Sequence, residues 1–260
     1  MSEHDTNPYA PPIAILSDEE QYANEGSFIP GGRKVPAGNA SAWIGSAWEM
    51  FKQSPGTWIG LFLVFMLIYM VCAIIPLVNM VTVVLMPLLM GGVMIACERQ
   101  RESGELALGD LFGGFQEHLG PLCIQGLLTM AFSMAVFIPI AIIGGIGVAI
   151  FAATGTGFGA AAIVGIVLLV LLALVAMLML YAAMWFAPAL IVLQGLTPFE
   201  AMKASFAGCM KNLVPGLIFF ILSFLLMILG SIPLFLGLLV VFPLLYASIY
   251  TAYRDIFIEE

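Results

Sequence analysis

The feature that most narrows what this chain can become is a succession of apolar blocks beyond residue 56. Thr57–Ile75 and Leu77–Cys97 are each about 20 residues long, and at a ~1.5 Å rise that length spans the ~30 Å hydrocarbon layer of a bilayer. Pro76-Leu77-Val78-Asn79 reads as the tight turn between them. Leu119–Ala152 and Ala160–Leu193 make a second pair, divided by Thr154-Gly155-Thr156-Gly157. Leu213–Ile232 and Leu234–Tyr253 make a third, divided at Pro233. The prediction is an all-α polytopic membrane protein with six transmembrane helices in three hairpins, occupying residues 42–258. The middle pair is too long for a perpendicular crossing. Tilt, a break near Pro139 or Gly144-Gly145, or protrusion beyond the lipid is expected there.

Composition points the same way. The chain is 62% apolar and 9% charged, against roughly 45–50% and about 25% in soluble domains. A secreted disulfide scaffold, a disordered regulator and an ordinary cytosolic enzyme are excluded. The net charge of −8 with only eight basic residues excludes nucleic acid, whose affinity rests on Lys and Arg neutralising phosphates. Cys72, Cys97, Cys123 and Cys209 lie in or beside apolar runs without a CxxC pair and read as small hydrophobes.

Residues 1–41 differ from the rest. Acidic residues stand at 3, 5, 18, 19, 20 and 25 and prolines at 8, 11, 12, 30 and 36, with no sustained apolar period. A flexible, partly polyproline-like tail is expected. It has no apolar core of signal-peptide length, so the first membrane helix is expected to act as the targeting signal. Asn7-Pro8-Tyr9-Ala10-Pro11-Pro12 reads as a docking peptide or as part of a solvated tail.

Charge placement gives an orientation. Arg33, Lys34, Lys52, Arg99, Arg101, Lys203, Lys211 and Arg254 all fall in the N-terminal region, the 98–118 loop, the 194–212 loop or the C-terminus. Six crossings put those four regions on one side, and the three opposite turns carry no Lys or Arg. The positive-inside rule then predicts both termini in the cytoplasm, in a bacterial inner membrane.

Each hairpin is preceded by an amphipathic stretch. At 100° per residue Trp43, Ile44, Ala47, Trp48 and Phe51 share one face. Leu108, Leu111, Phe112, Phe115 and Leu119 line a second stretch, and Phe199, Met202, Phe206 and Met210 a third. Thr197-Pro198-Phe199-Glu200 has the pattern of a capping box, with Pro198 at the first helical position. Lys203 falls within the apolar arc, where its stem can bury while its head reaches phosphates. Helices of this kind lie in the headgroup plane. They either anchor and orient each hairpin or form a collar that contacts lipid or docks a partner, with Trp43, Trp48, Phe51, Phe112, Phe115, Phe199, Phe206 and Lys203 as the contact residues.

Prolines repeat at similar depths. Pro76, Pro87 and Arg99 follow one another at intervals of 11 and 12 residues, and Pro233, Pro243 and Arg254 at 10 and 11. Pro188 supplies a comparable position in the fourth helix. Kinks at Pro87, Pro188 and Pro243 would line a cavity or let the helices bend around one another. Ala141, Gly145, Ala149 and Ala153 recur at four-residue spacing, as do Gly157, Ala161 and Gly165, which predicts close helix contact.

No Asp, Glu, Lys, Arg or His lies within the six cores, which disfavours proton- or ion-coupled transport. Polar atoms there reduce to residues such as Asn79, Thr82, Gln125, Thr129 and Ser223. His4 and His118 have no spaced second ligand, and no nucleophile elbow, zinc-protease, Walker or DxD pattern occurs. No catalytic residue, metal or cofactor is expected.

Taken together, Val35-Pro36-Ala37-Gly38, Ser54-Pro55-Gly56-Thr57-Trp58, the run from Leu108 to Phe115, Trp185-Phe186-Ala187-Pro188-Ala189-Leu190, Pro198-Phe199-Glu200-Ala201-Met202-Lys203 and Tyr253-Arg254-Asp255-Ile256-Phe257 resemble a family of uncharacterised six-helix inner-membrane proteins of proteobacteria. The likeness covers about residues 35–258. The third collar is also similar to the membrane domain that accompanies some glycerophosphodiester phosphodiesterases, whose soluble catalytic barrel is not expected among these residues. The resemblance implies a bacterial inner-membrane protein of the same fold and brings no substrate or catalytic residue. The expected function is non-enzymatic: binding of membrane lipid or of a protein partner through the interfacial helices. The alternative is a passive carrier or channel-like protein for lipid or another apolar solute.

Overall fold

The computed structural model describes residues 26–74, 76–154 and 159–259. It is all-α, 84% helical, apart from one two-stranded clasp. In chain order the elements are β1 (Ser27–Phe28), α1 (Asn39–Gln53), α2 (Pro55–Ile74), α3 (Pro76–Ser103), a 3-10 segment (Leu108–Phe112), α4 (Gly113–Gln116) and α5 (Leu119–Thr154). Then come α6 (Ala160–Trp185), α7 (Ala187–Gln194), α8 (Pro198–Lys211), α9 (Leu213–Ser231), α10 (Leu238–Phe257) and β2 (Ile258–Glu259). Most of the polar tail, the 155–157 part of the expected second turn, Gly157 and the Asn7–Pro12 stretch lie outside the described residues.

Among the described residues five helical stretches are long and apolar enough to cross a membrane: Pro55–Ile74, Thr82–Ser103, Leu119–Ile150, Ile163–Gln194 and Leu213–Ser231. The expected sixth, α10, falls outside that set because its C-terminal half carries Tyr250, Thr251, Tyr253, Arg254 and Asp255. That half is covered by protein. Ala247, Ser248, Tyr250, Tyr253, Ile256 and Phe257 are all buried, so α10 is a core helix, packed by α1, α2, α3 and α9. Polar side chains at membrane depth are tolerated where they face other helices and find partners there.

Several expected boundaries move, each for a local reason. The turn expected at 76–79 belongs to α3, which starts on Pro76; a proline there has no N–H left to satisfy. The turn expected at Pro233 extends over 232–237, with Leu234 at φ 52° and Phe235 at φ 65°, before α10 begins at Leu238. The second amphipathic stretch is not one helix. It is a 3-10 segment followed by the four-residue α4, and Asp110 fixes the join by accepting from the Ala107 N–H at 2.9 Å and from Arg99 Nη1 at 2.7 Å. Gly114 sits where a Cβ would lie 2.3 Å from the Leu88 carbonyl oxygen, and Gly92 where one would lie 1.9 Å from the Leu111 carbonyl oxygen. Main chain therefore packs directly on main chain between α3 and this segment.

The long fourth run breaks, but at Phe186 rather than in the third run, where α5 continues unbroken through Pro139. The break has a chemical filling. In an intact helix the Phe186 N–H would donate to the Ala182 carbonyl. Instead it donates to Ser205 Oγ at 3.0 Å, and that hydroxyl donates onward to Ala182 O at 2.7 Å. A side chain from α8 is thus inserted in a rung of the α6–α7 ladder, a recognised cause of sharp bends. Pro188 follows in the first turn of α7, one residue after its start at Ala187. Pro87 and Pro243 lie inside α3 and α10, and all three prolines are buried.

α5 packs on α3 through Leu122 and Gly126 and then projects. Ala141, Gly145, Ala149 and Ala153 are exposed, and a Cβ on Gly145 would meet nothing within 4 Å. The close contact expected along this face is absent among the described residues: the small-residue spacing marks a face without saying what covers it.

The packing sets the expected stability of three variants. Gly92→Ala forces the Leu111 backbone aside and should cost at least about 1–3 kcal/mol. Gly45→Ala, in α1 with nothing within 4 Å of its Cβ position, should be neutral or stabilising by up to about 1 kcal/mol; thermal unfolding in detergent compares the two. Gln125 is completely buried, and neither atom of its amide has a partner among the described residues. Gln125→Leu, which removes an orphan amide, should raise stability by about 1–2 kcal/mol in the same assay.

Candidate functional site

Polar chemistry among the described residues gathers at one end of the helices, where the strap of residues 26–36 is stitched to the end of α10. Ser27 pairs with Glu259 and Phe28 with Ile258 in antiparallel register. The Ile29 and Arg33 N–H groups donate to Phe257 O and Ile256 O, each at 2.8 Å. Gly32, at φ +69°, lies where a Cβ would sit 2.7 Å from the Ile256 side chain, so the strap hugs the helix only with glycine there. Asn212, between α8 and α9, locks the strap from the other side. Its Oδ1 accepts from the buried Val35 N–H at 2.8 Å, and its Nδ2 donates to Arg33 O and Gly208 O at 2.8 and 2.9 Å.

Two carboxylates organise this layer. Asp255 Oδ2 accepts from Trp43 Nε1 at 2.7 Å and from Asn39 Nδ2 at 2.8 Å, while its Oδ1 meets Arg33 Nη2 at 3.3 Å. Arg33 Nε donates to the Asp255 carbonyl at 2.7 Å. Glu98 accepts from the Tyr250 hydroxyl at 2.7 Å and pairs with Arg101 and, at 3.5 Å, with Arg254. Gln100 bridges α2 and α1, accepting from Trp58 Nε1 at 3.1 Å and donating to Met50 O at 2.8 Å.

Between α1, the end of α3 and the end of α10 these groups leave an open groove of about 630 Å³. Asn39, Ala42, Trp43, Ser46, Met50 and Gln53 form its α1 wall, at helical spacing along one stripe. Arg33, Gln100, Arg101, Thr251 and Arg254 complete it. None of Pro87, Pro188 or Pro243 lines it, so these prolines and the groove are separate features.

The contact residues expected from sequence divide into two groups. Trp43 and Phe51 are 4% and 5% exposed and belong to the core; the apolar face of α1 is covered by α10 and α9, with Trp43 edge-on to Phe219 at 6.0 Å. Phe115 and Phe206 are partly buried. Trp48, Phe112 and Phe199 stand out at 41%, 39% and 61%, and Lys203 is exposed. α8 has the expected capping pattern: Glu200 Oε2 accepts from the Thr197 hydroxyl at 2.6 Å and its N–H at 3.3 Å, which holds the Glu200 carboxyl below its usual value. Burial pushes the Cys209 thiol up to about 12, so it packs as a neutral hydrophobe. Sequence reasoning missed the convergence of Arg33, Arg101 and Arg254. Their common side was legible, but not their meeting.

Asn212→Ala leaves the buried Val35 N–H unpaired, a cost of about 1–3 kcal/mol. Trypsin should then cut after Arg33 and Lys34 several-fold faster than in the parent; an unchanged rate would show that Asn212 does not hold the strap. Compared with protein-family models, curated proteins and solved structures, the chain has no match.

Proposed function

We propose that this chain is a six-crossing integral protein of the bacterial inner membrane, arranged as three hairpins with both ends in the cytoplasm, that binds lipid or a protein partner at that face and performs no catalysis. The clasp supports the even count. Ser27 and Glu259 are joined by strand pairing, so the chain between them crosses an even number of times; five apolar helices plus α10 make six. The side follows from the absence of Lys and Arg in the turns opposite, since cationic loops are retained in the cytoplasm. The likeness to six-helix inner-membrane proteins of proteobacteria belongs to the same reading.

One observation carries the binding role. The elements that introduce α2, α5 and α9 each present an exposed aromatic ring, Trp48, Phe112 and Phe199 respectively. Aromatic side chains are favoured at the level of the headgroups, where an apolar ring meets a wet boundary. Lys203, one turn beyond Phe199, adds a cation at that level.

The triple variant Trp48→Ser, Phe112→Ser, Phe199→Ser changes only exposed positions and should fold. Native mass spectrometry after detergent exchange should find fewer retained phospholipids or loss of a co-purifying partner. Retention of both at parental levels would refute the binding role. A reporter fused after Ile258 should be active only in the cytoplasm.

A further inference from the structure

We propose that the groove between α1, α3 and α10 is a binding site for a phosphate-bearing anion. This goes beyond lipid contact by the exposed aromatics and stands without it, because it uses none of those rings. Its basis is a concentration of guanidinium groups. The chain has four arginines, and Arg33, Arg101 and Arg254 all line this one groove. They arrive from the strap, the end of α3 and the end of α10, so three distant parts of the sequence supply the same chemistry. Guanidinium forks match the oxygens of phosphate in spacing and plane, and their charge-assisted bonds are the strong ones.

The carboxylates nearby position these arginines instead of closing the site. Asp255 is the acid in the groove wall. Its two oxygens already accept from Trp43, Asn39 and Arg33, which turns its charge toward the protein. Glu98 is outside the groove wall and receives Tyr250, Arg101 and Arg254. Glu102 also meets Arg101, at 3.2 Å. Against this, Arg33 uses Nε and Nη2 on Asp255 and leaves Nη1 without a partner among the described residues. The Arg33 and Arg101 side chains remain 42% and 32% exposed, so both can turn donors into the groove. Ser46, Gln53 and Thr251 add neutral groups along the same wall.

The volume suits the assignment. At about 630 Å³ the groove lies in the range of ~300–1,000 Å³ typical of small-molecule sites. It holds a phosphate with an attached glycerol or sugar, whose carbon atoms would rest on Trp43, Met50 and Ile258. Phosphate of this kind comes from a lipid headgroup or from a soluble phosphate ester, and the groove's chemistry is shared by both.

The test uses the full chain in non-ionic detergent, with thermal unfolding followed against dioctanoyl phosphatidylglycerol in one arm and glycerol 3-phosphate in the other. Sodium chloride and acetate at matched ionic strength are the controls. A saturable rise in midpoint in either arm, beyond both controls, is expected. A rise confined to the lipid arm identifies a headgroup, and a rise with glycerol 3-phosphate identifies a soluble ester. Arg33→Gln should weaken the apparent affinity about tenfold, the loss of one charge-assisted contact, with partial recovery in Arg33→Lys. Since Arg33 also holds the strap, Ser46→Trp, which fills the groove from an exposed position of α1 without touching an ion pair, should abolish the rise while leaving the unliganded midpoint unchanged. No rise beyond the controls in either arm, or a rise that persists undiminished in Ser46→Trp, would overturn the assignment.

Discussion

Charge has nowhere to go in hydrocarbon, and that constraint shapes this molecule more than any other. An ionised side chain in the bilayer centre is costly by several kcal/mol, so the chain's few charges are confined to segments outside the apolar runs. Once crowded into one layer, they bind one another. Asp255 draws in Trp43 from α1 and Arg33 from the strap across 212 and 222 residues of sequence, and Glu98 draws α3 and α10 together through Tyr250. The clasp between β1 and β2, the burial of the α10 end and the groove along α1 all follow from this gathering of polar groups.

Within the apolar part a different interaction has to hold the helices. Lipid tails are as apolar as leucine, so association depends on close packing and on backbone approach. Gly92 against Leu111 and Gly114 against Leu88 supply that approach. The same need explains why the segment from Leu108 to Phe115 is not a free amphipathic helix. Gly113 and Gly114 are spent on contact with α3, and the segment's 3-10 geometry is set by the carboxylate of Asp110.

How much of this the sequence discloses depends on the range of the interaction. Apolar length is local, and the runs give the helical class and most helix positions. Caps are local too, so Thr197 and Glu200 mark the start of α8. Periodicity marks the face of α1 through Trp43, Ala47 and Phe51 but is silent about its cover: the same spacing serves a bilayer or another helix, and here the cover is α10. The break at Phe186 was hidden for a related reason. Pro139 sits in an α5 that continues helical around it, whereas the Phe186 break is held open by a hydroxyl from Ser205, 19 residues away. The arginine cluster is the least legible of all, because its members lie on three elements that only the fold unites.

Ser205 also ties the two halves of the structure together. Its element, α8, carries on one face the exposed Phe199 and Lys203 and on the other the buried Ala201, Met202 and Ser205. The hydroxyl completes the interrupted rung between Ala182 and Phe186 only while α8 lies where it does. Asn212, one residue past the end of α8, simultaneously holds Val35 and Arg33 of the strap. A tilt of α8 would therefore pull on the α6–α7 break and on the wall of the groove at once. Backbone hydrogen bonds deprived of water have no cheap substitute in lipid, so this helix is coupled to both sites by the same requirement that polar groups stay paired.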